Sequence, residues 1–313
     1  LKVEPSLNRQ LVSFQANKNR PIYRWYKFKE GFSANLVEYL LDRCRVENGA
    51  LLDPFAGSGT ALFVGSGRGL RSEGVELLPI GQRIIEMKQI IDLRLTLQNK
   101  TALSDIAKSR SWKDAPPEVE LNELRITRGA YPPETTTMIR RYLSFAGKQN
   151  GCVRDVLIFA LLCVLEGVSY TRKDGQYLRW DHRSGRRQGK RVFDKGPILT
   201  FSDAISEKLA QIVSDLRQEN VSDDLVGVSH RRGEVILHRG SCLDVLSQMQ
   251  AETFDCVVTS PPYCNRYDYT RTYALELALL GVNELQLSRL RQEMLSCTVE
   301  NRAKDLLAIN SRW

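Results

Sequence analysis

The chain has 313 residues, of which 42% are hydrophobic and 26% charged, enough to bury a substantial core and too apolar for wholesale disorder. Its longest uncharged apolar run, residues 156–165, is too short to cross a bilayer. No basic-then-apolar leader opens the sequence, so a cytoplasmic protein that meets no membrane is the expectation. Lys and Arg number 45 against 37 Asp and Glu, a net charge of +8 that points mildly to a polyanionic partner.

The seven cysteines include no CxxC pair and the three histidines are scattered. This excludes the common zinc patterns and predicts reduced thiols and no metal centre.

In chain order, the apolar spacing of residues 35–45 predicts a helix that stops before Asn48-Gly49. Ala50-Leu51-Leu52 reads as a short strand running into Asp53-Pro54-Phe55-Ala56-Gly57-Ser58-Gly59-Thr60, where a second helix opens. Residues 71–77 read as a strand, and 79–95 as a helix with Pro79 in its first turn. Residues 136–165 read as one helical, partly apolar segment, 171–195 as a basic loop, and about 202–219 as an amphipathic helix. Strand signals are scarce between 99 and 230. Residues 234–238 predict a strand turning at Gly240, and 242–249 a helix. Residues 254–259 predict a buried strand ending at Ser260-Pro261-Pro262-Tyr263, and helical patterns follow from 273. The organisation expected is therefore α/β over 1–98, a mainly helical insertion over 99–230, and α/β again over 231–313.

Two segments carry chemistry. The first is the strand that ends in Asp53 and passes through a glycine turn into a helix. Glycines let the backbone approach a ligand closely, and an acid about twenty residues on, here Glu76 at the end of the next strand, suits ribose hydroxyls. No GK[ST] follows and the turn lacks GxGxxG, so neither a phosphate-binding loop nor a dinucleotide site is indicated. The second is Thr259-Ser260-Pro261-Pro262-Tyr263 after an apolar strand. Two prolines cannot continue a sheet ladder, so they make a stiff loop at the strand end where α/β proteins place ligands.

Asp53-Pro54-Phe55-Ala56-Gly57-Ser58-Gly59-Thr60 resembles motif I, and Ser260-Pro261-Pro262-Tyr263 resembles motif IV, of the S-adenosylmethionine-dependent DNA amino-methyltransferases. Residues 25–33, with Phe32 and Ser33, resemble motif X of the same enzymes, which closes over the methionine end of the cofactor. The resemblance implies a doubly wound Rossmann-like sheet with an inserted helical subdomain. It also implies S-adenosylmethionine as cofactor, held by Phe32, Ser33, residues 53–60, Glu76, Leu77 and Ser241. Ser241 stands where the family often has an acid near the adenine.

In the catalytic loop, the Ser260 hydroxyl and the Pro261 carbonyl would hold the hydrogens of an exocyclic amine, with Pro262 stiffening the loop. Tyr263 would stack on a base taken out of the duplex. Serine at the head of the loop resembles the cytosine-N4 group more than the adenine-N6 group. Cys264 follows tyrosine rather than sitting in a proline-cysteine loop and is read as incidental.

DNA is the expected substrate, with a restriction endonuclease or other defence-system protein as partner. Residues 171–195 hold nine basic and three acidic residues, with Tyr177 and Trp180 interleaved. The DNA-binding set expected is Arg172, Lys173, Tyr177, Arg179, Trp180, Arg183, Arg186 and Arg187, with Arg266 and Arg271 beyond the catalytic loop. The family's sheet continues after motif IV. Residues 274–313 predict no clear strand, so the C-terminal strands are expected to be missing or supplied by a partner or further segment. Adenine-N6 methylation of DNA or RNA, and a silent DNA-binding subunit that needs a partner, are the alternative readings.

Overall fold

The computed structural model describes residues 7–174, 177–186, 192–226, 232–262 and 268–295. The chain forms α1 (Ala34–Arg43), β1 (Ala50–Asp53), α2 (Thr60–Gly67), β2 (Arg71–Glu76), α3 (Pro79–Arg94) and α4 (Leu97–Ser109). It continues with α5 (Pro133–Gly147), α6 (Gly151–Val168), β3 (Thr171–Asp174), β4 (Tyr177–Trp180), α7 (Phe201–Val226) and β5 (Val235–Arg239). The last elements are α8 (Cys242–Gln248), β6 (Cys256–Val257), α9 (Tyr269–Thr272), α10 (Ala274–Leu279) and α11 (Glu284–Glu293). Two compact units result. One comprises residues 1–86, 219–267 and 290–313; the other comprises 87–218 and 268–289.

The first unit is the Rossmann-like α/β unit. Its sheet has the order β5-β2-β1-β6, and every pairing is parallel. Leu51 lies opposite Ser72 on one side and Cys256 on the other. The chain starts in the middle at β1, steps outward through β2 to β5, and returns to the far side of β1 as β6. The order therefore reverses between β1 and β6, and such a switch point opens a crevice at the carboxyl ends of the strands. The core under the sheet is built from Val37, Leu41, Leu51, Leu62, Val64, Leu70 and Ile85. Ser33 caps α1 by accepting from Leu36 N–H at 3.0 Å, which satisfies one of the open donors of the first turn.

The second unit is helical with one hairpin. Residues 136–165 do not form a single helix. The chain breaks at Lys148–Asn150, where Asn150 accepts from Val153 N–H at 3.0 Å and caps α6 anew. The apolar run 156–165 is explained by α6 packing against α4, α5 and α10, since a helix surrounded by helices has no face to leave polar. Trp112 meets Tyr142 edge-on at 5.5 Å, and Tyr142 meets Phe201 at 5.6 Å. The basic segment is likewise not a plain loop, for β3 and β4 form an antiparallel hairpin with Thr171 opposite Trp180. Short strands that alternate buried and charged residues, as Thr171 to Asp174 do, are hidden by composition.

The strand expected over residues 254–259 is also shorter and less buried than its apolar sequence implies. Cys256 is half-buried and Val257 is 58% exposed. Among the described residues β6 is an edge of the sheet, with no strand beyond it. No helix among the described residues is long and apolar enough to cross a membrane.

Candidate active site

The site grows from the ends of β1 and β6. Asp53, the last residue of β1, is fully buried. Its Oδ1 accepts from Phe55 N–H at 3.1 Å, a turn that bends the chain off the strand. The same oxygen accepts the Thr259 hydroxyl at 2.7 Å from the segment that follows β6. Thus the two motif-bearing segments, 206 positions apart, are joined side chain to side chain at the switch point. Asp53 Oδ2 is buried and meets no hydrogen-bond donor among the described residues. Burial pushes this carboxyl up to about 6, against the opposing pull of the Thr259 hydroxyl and Phe55 N–H.

The glycine turn is held on both sides. Ala56 N–H donates to Val75 C=O at 3.0 Å, pinning the loop to β2. Gly57 N–H donates to Glu76 Oε2 at 2.7 Å, while Leu78 N–H donates to Oε1 at 2.7 Å. Glu76 therefore braces the loop through Oε2 and the turn after its own strand through Oε1, and each oxygen keeps a second lone pair for a further donor. Burial pushes its carboxyl up to about 7, the two N–H groups oppose that, and the Asp53 charge adds to it. Gly59 sits at φ +74, and a Cβ there would stand 2.8 Å from Ile85 Cγ1. Only glycine fits a left-handed backbone this close to a neighbour. Pro54, Phe55 and Ser58 are half-buried along the loop, and Ser58 Oγ and Thr60 Oγ1 lie 3.3 Å apart. Leu77 is half-buried, and its carbonyl accepts from Gln82 Nε2 at 3.1 Å.

Residues 25–33 lie against this loop through Phe28. The Phe28 ring packs on the turn, with its Cε1 3.1 Å from where a Gly57 Cβ would stand. Ser33 instead spends its hydroxyl on the α1 cap and on Leu11 C=O. Phe32 gives its carbonyl to Asn17 Nδ2 at 3.2 Å. Ser241 follows β5 at the same end of the sheet and donates to Glu293 C=O at 2.9 Å. Ser260 and Pro262 are half-buried and Pro261 is exposed. Tyr263, Cys264 and Arg266 lie outside the described residues.

In the helical unit the basic set divides by what each residue touches. Arg172 is exposed, lies opposite Arg179 across the hairpin, and makes no ion pair among the described residues. Arg179 lies over the Phe193 ring at 4.1 Å and pairs with Asp174 at 4.0 Å. Arg183 grips Asp181 with two nitrogens, at 2.6 and 2.9 Å. Arg186 stacks on Trp180 at 3.5 Å and donates to Arg128 C=O at 2.7 Å. Arg271 pairs with Asp268 at 3.2 Å. Tyr177 pairs with Asp174 in the hairpin register, and Arg187 lies outside the described residues. Lys173 departs from the expected surface role. It is buried, its ammonium pairs with Glu276, and it sits 4.8 Å over the Tyr273 ring. The alternation of the strand turns Lys173 inward while Arg172 faces out.

The chain is 50% identical over 308 residues to the Type II methyltransferase M.AvaI of Nostoc sp. (strain PCC 7120), a match covering 98% of this chain and 64% of that protein. The M.AvaI of Anabaena variabilis gives the same figures. The Type II methyltransferase M.BsoBI of Geobacillus stearothermophilus is 39% identical over 320 residues, covering 96% of this chain and 60% of that protein. Nearly all of this chain is similar to part of a Type II methyltransferase. The chain spans less than two thirds of the length of these curated relatives. No family model matches the chain, and no solved structure matches it significantly.

Three contributors carry no mark of their role in the sequence. Thr259 opens its motif with no chemistry of its own to single it out. Phe28 is one aromatic in a segment, residues 25–33, that holds several. Gly81, in α3, leaves room for the loop: a Cβ there would stand 2.6 Å from Gly57 O. Their signals are contacts between distant segments, and a single sequence carries no record of those.

Proposed function

We propose that the chain moves a methyl group from S-adenosylmethionine to the exocyclic N4 amine of cytosine in DNA, at a specific sequence, by direct transfer to a base turned out of the duplex. The observation that most supports this is the Asp53–Thr259 hydrogen bond of 2.7 Å. It sets the glycine loop beside the Ser260-Pro261-Pro262 loop at the crevice of a parallel sheet. The similarity to Type II methyltransferases supports the same reading.

The residues fit such a cofactor. A buried carboxylate oxygen without a donor suits a ligand carrying an ammonium group and a sulfonium, because a buried acceptor is costly until it is matched. Asp53 and the Gly57–Gly59 backbone would hold the methionine end, and Glu76 would accept from the ribose hydroxyls. Leu77 and Ser241, at the same strand ends, would border the rest of the cofactor. Phe28 would shape the loop from outside, with Phe32 and Ser33 fixing the segment that carries it. When bound, S-adenosylmethionine supplies a methyl carbon on positively charged sulfur.

The chain's own part is positioning. The amine of cytosine is a poor nucleophile because its lone pair is delocalised into the ring. The Ser260 hydroxyl and the Pro261 carbonyl would accept its hydrogens and favour a pyramidal nitrogen. Pro262 keeps the loop stiff, and Tyr263 would stack on the base. Arg172, Arg179, Arg183, Arg186 and Arg187, with Arg266, Arg271, Tyr177 and Trp180, are the DNA-contacting set proposed, now without Lys173. A restriction endonuclease or other defence-system protein is the partner proposed. A further segment or chain is proposed to pair with the β6 edge.

The test is transfer of labelled methyl to mixed-sequence DNA, followed by nucleoside mass spectrometry. N4-methylcytosine is expected. N6-methyladenine would move the reading to the adenine amine. Bound cofactor with no product would make the chain a partner-dependent or silent half.

A further inference from the structure

Two side-chain bonds staple β6 to β1, one at each end. At the start, Ala50 N–H donates to Asp255 Oδ2 at 2.7 Å. At the finish, the Thr259 hydroxyl donates to Asp53 Oδ1 at 2.7 Å. Between them, the backbone ladder of Leu51 with Cys256 and Leu52 with Val257 already sets the register. The first staple lies at the end of the sheet away from the crevice, where a strand needs only to be held. The second lies in the crevice, on a carboxylate whose other oxygen is buried and without a donor. Thr259 immediately precedes Ser260. One hydroxyl therefore connects the group that would receive the cation of the cofactor with the loop that would hold the amine.

We propose that Thr259 is a positioning residue: through its hydroxyl it fixes Asp53 for the cofactor and, in the same bond, fixes the Ser260 loop relative to that cofactor. This rests on the function proposed above. The argument is geometric. Asp53 cannot turn its donor-less oxygen toward solvent while Oδ1 is held by both Phe55 N–H and Thr259. Removing the hydroxyl leaves the carboxylate held by Phe55 N–H alone and cuts its link to the start of the catalytic loop. A positioning error of this kind lowers both cofactor affinity and turnover, whereas a purely structural bond would change stability alone.

The test compares the native chain with Thr259→Val, which keeps the shape and loses the hydroxyl, and Thr259→Ser, which keeps the hydroxyl and loses the methyl. S-adenosylmethionine affinity is measured by calorimetry, and kcat and the cofactor KM are measured on mixed-sequence DNA. Thr259→Val is expected to weaken cofactor binding by on the order of tenfold, as loss of a hydrogen bond to a charged group does, and to lower kcat as well. Thr259→Ser is expected to restore both to within about twofold, because the hydroxyl bond remains. Native-like binding and turnover in Thr259→Val would overturn the proposal. So would equal damage in both variants, which would assign the effect to packing of the methyl group. A native chain that binds no S-adenosylmethionine would overturn the functional reading itself, a different and separately visible outcome.

Discussion

A carboxylate sealed into a sheet end, with one oxygen unmatched, is a standing cost to the ligand-free protein. Burial pushes Asp53 up to about 6 and Glu76 up to about 7. Both values lie above those of the unfolded chain, so the folded protein holds these protons more tightly. Their contribution to the ligand-free stability is therefore fully present at acid pH, below the unfolded carboxylate values, and is lost as pH rises through the folded values. A cation seated beside the pair favours the ionised forms and reverses the preference. Cofactor binding should therefore release protons and tighten as pH climbs toward about 7, the higher of the two ligand-free values, and level off above it. Calorimetry in buffers of different ionisation enthalpy reads both effects, and a pH-independent affinity would sink the idea. Asp53→Asn removes the charge and keeps the shape. It should cut cofactor affinity by about tenfold or more while leaving the ligand-free melting temperature at alkaline pH no lower than that of the native chain.

At the scale of elements, the turn between β1 and α2 depends on backbone room. Gly59→Ala would force a left-handed residue against Ile85 and should cost roughly 1–3 kcal/mol, read as a lower urea midpoint. In the hairpin, Lys173→Ala would leave Glu276 charged and buried, at a cost of about 3–5 kcal/mol. Replacing both partners by apolar residues of similar size should be far milder, and equal losses in the two variants would show that the pair contributes only volume. These elements also mark what a sequence can carry. The β1 loop and the β6 loop were legible because their residue types are dictated by local chemistry: glycines where a turn must tighten, prolines where a strand must stop. The hairpin was not, since Thr171 to Asp174 alternates within four residues, too briefly for a period to emerge from a basic background. Nor was the inward turn of Lys173, which depends on Glu276, a partner 103 residues away. The break between α5 and α6 was written locally, in Asn150 as a cap, but masked by apolar residues on either side.

Over the whole molecule, charge separates solvent-facing cations from structural ones. The net charge is +8, yet Lys173 is neutralised internally by Glu276, and Arg183 is bound to Asp181 by two nitrogens. Arg172 faces outward directly across from Arg179, an arrangement of like charges that costs stability in a strand pair and is relieved when an anion sits between them. Phosphate contacts release counterions, so each one contributes about 0.9 to the slope of log affinity against log salt. If the hairpin meets DNA, Arg172→Ala should reduce that slope by about one contact. Arg179→Ala should reduce it less, because Asp174 already shares its charge. Lys173→Met, which also removes a positive charge from the chain, should leave the slope unchanged. Fluorescence anisotropy with a duplex between about 50 and 200 mM salt distinguishes these outcomes. An Arg172→Ala slope equal to the native one would take the hairpin out of the DNA interface, and the search for the target-reading surface would move elsewhere.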